Sequence, residues 1–178
     1  YLKVTGIDAD EGSFGEEYTL PEVTASYGGE DKTSALKKYI WINGDAEPNY
    51  ETAQPFTDDA LTLSEDYPKG FKLVYRYEGN TVKVIPVTVN AEVTDVAWSG
   101  STENLKATVG TDFTLPALTS VKIGGTQVTA GITVKVVYTD VPGAEQEAEG
   151  TFKPLLKRDF SLKYYYGSVF LAQLDVAV

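Results

Sequence analysis

The sequence predicts an all-β protein of two tandem domains, residues 1–90 and 91–178, each an antiparallel β-sandwich of two sheets. Three observations predict this: a hydrophobic pattern of period two, a composition weighted toward strands and tight turns, and an internal repeat that runs the length of the chain.

The pattern is clearest where Ile132, Val134, Val136 and Tyr138 alternate with Thr133 and Lys135, as a half-buried strand requires. Phe71, Leu73, Tyr75 and Tyr77 alternate in the same way, and so do Phe160, Leu162, Tyr164 and Tyr166. Residues 121–123 and 126–128 flank Gly124-Gly125, a two-residue hairpin signal, because adjacent glycines supply the positive φ of a primed turn. Strands of this length at turn-separated intervals suggest two packed antiparallel sheets. The best helical candidate, residues 33–39, is too short to stand alone and predicts at most one turn crossing between sheets. With 12 Tyr, 7 Phe and 16 Gly, the composition favours strands and tight turns.

The repeat sets the domain count. Val4-Thr5-Gly6-Ile7 returns 89 residues later as Val93-Thr94-Asp95-Val96. Gly15-Glu16-Glu17-Tyr18-Thr19-Leu20-Pro21 returns as Gly110-Thr111-Asp112-Phe113-Thr114-Leu115-Pro116, at offset 95. Gly28-Gly29 returns as Gly124-Gly125, and the Phe71 and Phe160 strands restore the offset of 89. The offset grows because copy two has a longer first connection, from Ser99 to Lys106. It shrinks again because copy one is longer between Gly44 and Tyr67. Both changes fall in turn-rich stretches, where surface loops tolerate them. In each copy the Leu-Pro pair should end a strand, since proline brings no N–H to a ladder.

Charge and residue types exclude several functions. A net charge of −11 opposes nucleic acid and anionic lipid alike. The chain has no Cys, His or Met. That removes a disulfide framework, a thiolate zinc site, and the commonest general base. No cofactor is implied. No apolar run approaches the roughly 18 residues of a membrane-spanning helix, so no membrane insertion is expected. The first residue is Tyr1 rather than Met, which predicts a processed protein or a piece of a longer multidomain chain.

The repeated landmarks resemble the bacterial immunoglobulin-like domains that occur in tandem in large cell-surface and secreted proteins. The matching features are Gly-x-x-[Phe/Tyr]-x-Leu-Pro, the glycine hairpin, the Val/Ile-rich strand, the Phe/Tyr-rich strand and the closing Val87-Thr88-Val89 or Val176-Ala177-Val178. Pro68-Lys69-Gly70-Phe71 fits the family's Pro-Gly-aromatic turn, and copy two departs from it with Lys157-Arg158-Asp159-Phe160. The resemblance implies an immunoglobulin-like fold, an extracellular or cell-surface setting in a bacterium, and a structural, spacer or adhesive role. It supplies no functional residues.

Candidate sites come from the residues themselves. In Lys38-Tyr39-Ile40-Trp41-Ile42, if Ile40 and Ile42 face the core, Tyr39 and Trp41 face outward, where aromatic rings can stack on sugars. Tyr39 and Trp41 are therefore the candidate ligand-binding residues, with a glycan or a host or cell-surface protein as candidate partner. The alternative is that Trp41 lies under a loop. Trp98 shares the parity of Val96, which predicts burial. Asp8-Ala9-Asp10-Glu11-Gly12 opens like a calcium loop but has Gly12 and Thr19 where ligands belong. A calcium site from separate loops, adding Asp58 or Asp59, and solvated loop charge are the alternatives. Glu145, Glu147 and Glu149 would share one face of an extended strand as a solubilising edge. Lys3 and Asn90 are placed as a first-to-last-strand cross-link would need, but copy two lacks the pair. No carboxylates sit in a glycosidase-like motif, so the expectation is a protein without catalytic residues.

Overall fold

The computed structural model describes every residue except Pro68 and Pro142. The chain forms two compact units, Tyr1–Ala91 and Glu92–Val178.

Unit 1 contains β1 (Leu2–Thr5), β2 (Asp10–Ser13), β3 (Glu17–Thr19), β4 (Thr24–Tyr27), β5 (Glu30–Asp31), β6 (Lys37–Ile42), β7 (Ala60–Thr62), β8 (Phe71–Tyr77) and β9 (Asn80–Asn90). One sheet runs β1-β4-β5, with β3 paired to β7; the other runs β2-β9-β8-β6. A single 3-10 turn, Thr33–Ala35, is all the helix that the 33–39 segment forms. The rest of that segment enters β6, where a ladder from Lys37↔Arg76 to Ile42↔Phe71 outweighs a weak helical propensity.

β3 and β4 are two parts of one path, interrupted at Leu20-Pro21. The first part pairs with β7 (Tyr18↔Leu61) and the second with β1 (Val4↔Ala25). Proline has no N–H to give a ladder, so the strand breaks there and changes partner. After β1 the chain leaves the first sheet, and β2 pairs in parallel with the last strand, β9.

Unit 2 contains β10 (Val93–Ser99), β11 (Phe113–Thr114), β12 (Ala117–Ile123), β13 (Thr126–Val128), β14 (Ile132–Tyr138), β15 (Glu145–Ala148), β16 (Thr151–Phe152), β17 (Phe160–Tyr166) and β18 (Val169–Val176). It follows the order of unit 1 except that a lone Lys106↔Ala177 bridge stands in place of β2, and β15 is added between β14 and β16. Its sheets run β10-β12-β13, with β11 paired to β16, and β15-β14-β17-β18. The same break separates β11 from β12, at Leu115-Pro116. First, second and fifth main strands in one sheet, with third, sixth and seventh in the other, is the connectivity of an immunoglobulin-like sandwich. The fold is all-β, with two such domains in tandem.

The alternating residues form the cores. Phe71 and Leu73 are 0% exposed and Tyr75 3%; Phe160 and Leu162 are 0% and Tyr164 1%. Burying each such side chain stabilises the fold by roughly 1.5–3 kcal/mol. The aromatic residue of the repeated Gly-x-x-aromatic segment packs on the first residue of the aromatic strand. Tyr18 lies edge-on to Phe71 at 5.8 Å between centroids, and Phe113 edge-on to Phe160 at 6.1 Å. Pairs of this kind add about 0.5–1.5 kcal/mol beyond area alone.

One expectation needs revision here. The alternation through Val96 and Trp98 is broken by a bulge at Asp95, whose φ is 52°, and the register against β12 shifts on both sides of Ala97. Val96 is thus 37% exposed. Trp98 is half-buried, edge-on to Tyr164 at 4.8 Å. Pro68 of the Pro-Gly-aromatic turn lies outside the described residues. Gly70 of that turn has φ 82°, whereas Asp159, its counterpart, has no positive φ and instead accepts the Val178 N–H at 2.9 Å.

Candidate functional site

The face of β6 that carries Tyr39 and Trp41 is set by register. Ile40 pairs with Leu73 and Ile42 with Phe71, both fully buried, so these isoleucines share the core side. Tyr39 and Trp41, opposite Val74 and Lys72, lie on the other side.

That side does not present Tyr39 to solvent, contrary to expectation. The long connection of copy one folds back over it: the Phe56 N–H reaches the Lys38 carbonyl at 2.7 Å, and the Tyr50 ring meets Tyr39 at 5.0 Å. Tyr39 is left 5% exposed. Trp41 is half-buried. Its indole N–H donates to the Asp45 carbonyl at 3.0 Å, and the Lys72 ammonium sits 4.0 Å from its ring centroid. A sugar stacking on that ring face must displace Lys72. Beside these residues, the Arg76 guanidinium lies 4.2 Å over Tyr50, whose hydroxyl donates to Glu47 at 3.1 Å. Burial, with the Glu47 carboxylate second, holds the Tyr50 phenol above its ordinary pKa. A hollow of about 270 Å³ remains between Tyr39, Tyr50 and Arg76, with Lys37, Glu51 and Glu78 on its rim.

The acidic candidates are dispersed among internal contacts. Asp8 receives the Lys83 ammonium at 2.6 Å, which holds its carboxyl below the usual range. Asp10 accepts the Tyr18 hydroxyl at 2.6 Å, while Asp59 faces Lys38 at 3.5 Å. Among the described residues no three or more acidic side chains gather as a metal site. Glu145 and Glu147 lie on β15, the edge strand of its sheet, and Glu145 meets Lys135 at 3.2 Å. Lys3 belongs to β1 and Asn90 to β9, in different sheets.

A feature that sequence reasoning missed recurs in both units: a groove between the sheets beside the Leu-Pro break. In unit 1 it encloses about 400 Å³ and is lined by Leu20, Pro21, Val23, Leu36, Lys38 and Tyr75. In unit 2 it is larger, about 610 Å³, with Leu115, Leu118, Ile132, Val134 and Tyr164 in its lining. The repeated Leu-Pro pair was its signal, since a broken strand cannot seal the edge of a sheet.

No family model matches the chain, and no curated protein matches it. Among solved structures it is similar to a tandem of titin Ig domains, at 11% identity and TM-score 0.35, over 99% of this chain and 95% of that one. It is similar also to domains IG1 and IG2 of DIP-gamma, at 12% identity, TM-score 0.30 and coverage of 99% and 95%. A third is the titin domains z1z2 in complex with telethonin, at 13%, 0.29, and coverage of 97% and 93%. The immunoglobulin-like assignment of this chain rests on its own strand order and on the broken strand that both units share.

Proposed function

We propose that the chain is a non-catalytic structural or adhesive module of a bacterial extracellular or cell-surface protein, its two sandwiches serving as spacer domains. The observation that carries this reading is how the aromatic residues are used. Tyr39 is covered by Tyr50, Trp41 is tied to Asp45 and capped by Lys72, and Trp98 packs on Tyr164. Side chains that could have formed a binding platform are engaged in holding their own domains together. The resemblance of the repeated landmarks to tandem surface domains supports the bacterial exterior setting.

The second reading is a ligand-binding module on the face around Trp41, favoured by the hollow between Tyr39, Tyr50 and Arg76. A glycan-array screen of the intact chain, with Trp41→Ala alongside, separates the two. The spacer reading expects no glycan to bind. Specific binding that Trp41→Ala abolishes would replace it with the binding module.

A further inference from the structure

A protease that cuts after a basic residue must draw the neighbouring residues into an extended, unpaired conformation. Exposure and backbone hydrogen bonding therefore decide where a folded chain is nicked. Of the 15 Lys and Arg residues, nine lie within strands, where ladders hold the backbone. Among the others, Lys32 donates its N–H to the Ala25 carbonyl at 2.7 Å, and the Lys69 carbonyl is held by the Asn43 amide at 2.8 Å. Lys106 bridges to Ala177, and Lys153 precedes Pro154, whose ring blocks cleavage of that bond. That leaves Lys157 and Arg158, adjacent in the connection between β16 and β17.

The counterpart connection of unit 1 is stitched down. There the Tyr67 ring packs on Phe71 at 5.3 Å between centroids. The Tyr67 N–H donates to the Ser64 carbonyl and the Gly70 N–H to the Tyr67 carbonyl, each at 3.0 Å. In unit 2 the residue four before Phe160 is Leu156, which is 52% exposed, and Leu155 beside it is 74% exposed. Residues 155–159 are exposed without interruption. Among the described residues the Lys157 ammonium has no ion-pair partner, whereas Arg158 faces Asp140 at 3.4 Å. The backbone on either side of Lys157 is tied by one bond, from the Arg158 N–H to the Leu156 carbonyl at 2.9 Å. Asp159 is held more firmly: its carboxylate accepts the Val178 N–H at 2.9 Å, and its carbonyl accepts the Thr139 hydroxyl at 3.5 Å. The bond after Lys157 thus straightens more readily than the bond after Arg158.

We propose that the peptide bond between Lys157 and Arg158 is a processing site for a trypsin-type endoprotease, one whose pocket takes a basic side chain, and that nicked unit 2 keeps its fold. Water adds across the bond, leaving a carboxylate on Lys157 and an amine on Arg158, and no other reactant is consumed. The segment cut free, residues 158–178, carries β17 and β18. β17 stays paired with β14 from Ile132↔Tyr166 to Tyr138↔Phe160, and Phe160, Leu162 and Tyr164 stay buried in the core. A covalent joint thereby becomes one held by ladder and core alone. The site does not depend on whether the chain is a spacer or a ligand-binding module.

The test is limited digestion of the intact chain with trypsin, read by mass spectrometry. The first products expected are residues 1–157 and 158–178, which co-elute in size exclusion under native conditions and separate in urea. Lys157→Gln should slow the first cut at least about tenfold, since the bond after Arg158 opens only when the Asp159 carboxylate gives up a hydrogen bond. Arg158→Gln, which breaks the ion pair to Asp140 and keeps Lys157, should leave the cut after Lys157 in place. The proposal is overturned by a first cut after any other Lys or Arg, by an unchanged rate in Lys157→Gln, or by fragments that part in native buffer.

Discussion

The Tyr164 hydroxyl donates to the Pro116 carbonyl across 2.6 Å, joining the aromatic strand of one sheet to the broken strand of the other. Unit 1 makes the same connection, from Tyr75 to the Pro21 carbonyl, but at 3.4 Å. The break at each Leu-Pro frees a carbonyl from the ladder, and the core tyrosine satisfies it. Tyr164→Phe should therefore cost unit 2 about 1–2 kcal/mol, since a buried carbonyl loses its donor. Tyr75→Phe, which removes a longer bond, should cost less than about 1 kcal/mol. Urea unfolding of the two variants checks the order, and equal losses would contradict it.

The same tyrosines make stability sensitive to alkali. Burial pushes the Tyr164 phenol up to about 12, and raises Tyr75 in the same direction. An unfolded tyrosine titrates near 10. Between these values the unfolded chain has released a proton that the folded chain retains, so stability falls as pH rises. It should be level up to about pH 9 and decline from about pH 10 to about pH 12. Urea midpoints measured across that range should fall less steeply for Tyr164→Phe than for the parent.

Tyr39 and Trp41 occupy one strand face but differ in how they are covered. Tyr39→Ala empties a site roofed by Tyr50 and should cost about 3–5 kcal/mol, the range for buried aromatic truncation. Trp41→Ala removes a half-buried ring and one hydrogen bond to the Asp45 carbonyl, and should cost about 1–2 kcal/mol. Thermal unfolding of both variants tests this. A Trp41→Ala protein less stable than Tyr39→Ala would show that the indole, rather than Tyr50, holds the connection in place.

The strands of both cores were legible because alternation at Phe71, Leu73 and Tyr75, and again at Phe160, Leu162 and Tyr164, needs only local pattern. The Gly124-Gly125 hairpin was legible too: both glycines take positive φ, and Ile123 pairs with Thr126. The cover over Tyr39 was not. Parity placed that side chain opposite the core, but its roof comes from Tyr50, in a connection whose path no short-range signal specifies. The bulge at Asp95 was hidden for a related reason, since a non-glycine residue at φ 52° leaves no mark in the sequence. The groove of unit 2 was legible only in part: the Leu115-Pro116 break marks its place, but Ile132, Val134 and Tyr164 come to line it only when the two sheets pack.

Gly70 is required by contact as well as by conformation. Its φ is 82°, and a Cβ there would stand 2.4 Å from the Val87 carbonyl oxygen, which belongs to the ladder and cannot yield. Gly70→Ala should cost more than about 2 kcal/mol, left-handed strain plus the clash. Gly29 shares the positive φ, at 86°, but a Cβ would meet nothing within 4 Å. Gly29→Ala should cost only about 1–2 kcal/mol from strain. Chemical denaturation of the pair separates the two effects, and equal costs would remove the contact argument.

The spacer role proposed above would expose the chain to tension, and the two units differ in how they would resist it. In unit 1, β2 and β9 run parallel through four paired positions, from Asp10↔Val87 to Ser13↔Asn90. Tension applied to the ends of that unit draws β2 and the last strand, β9, in opposite directions along their axes. Their hydrogen bonds are then loaded together, in shear, and must fail nearly at once. Unit 2 has a single parallel bridge at this place, Lys106↔Ala177, with bonds of 2.8 and 3.1 Å on either side of Ala177. Fewer bonds share the load, so unit 2 should open first. Force spectroscopy of the chain between inert handle domains should show two unfolding events at distinct forces, with the weaker one releasing the length of unit 2. A weaker event that releases unit 1 instead would show that the β2–β9 ladder does not set the mechanical strength.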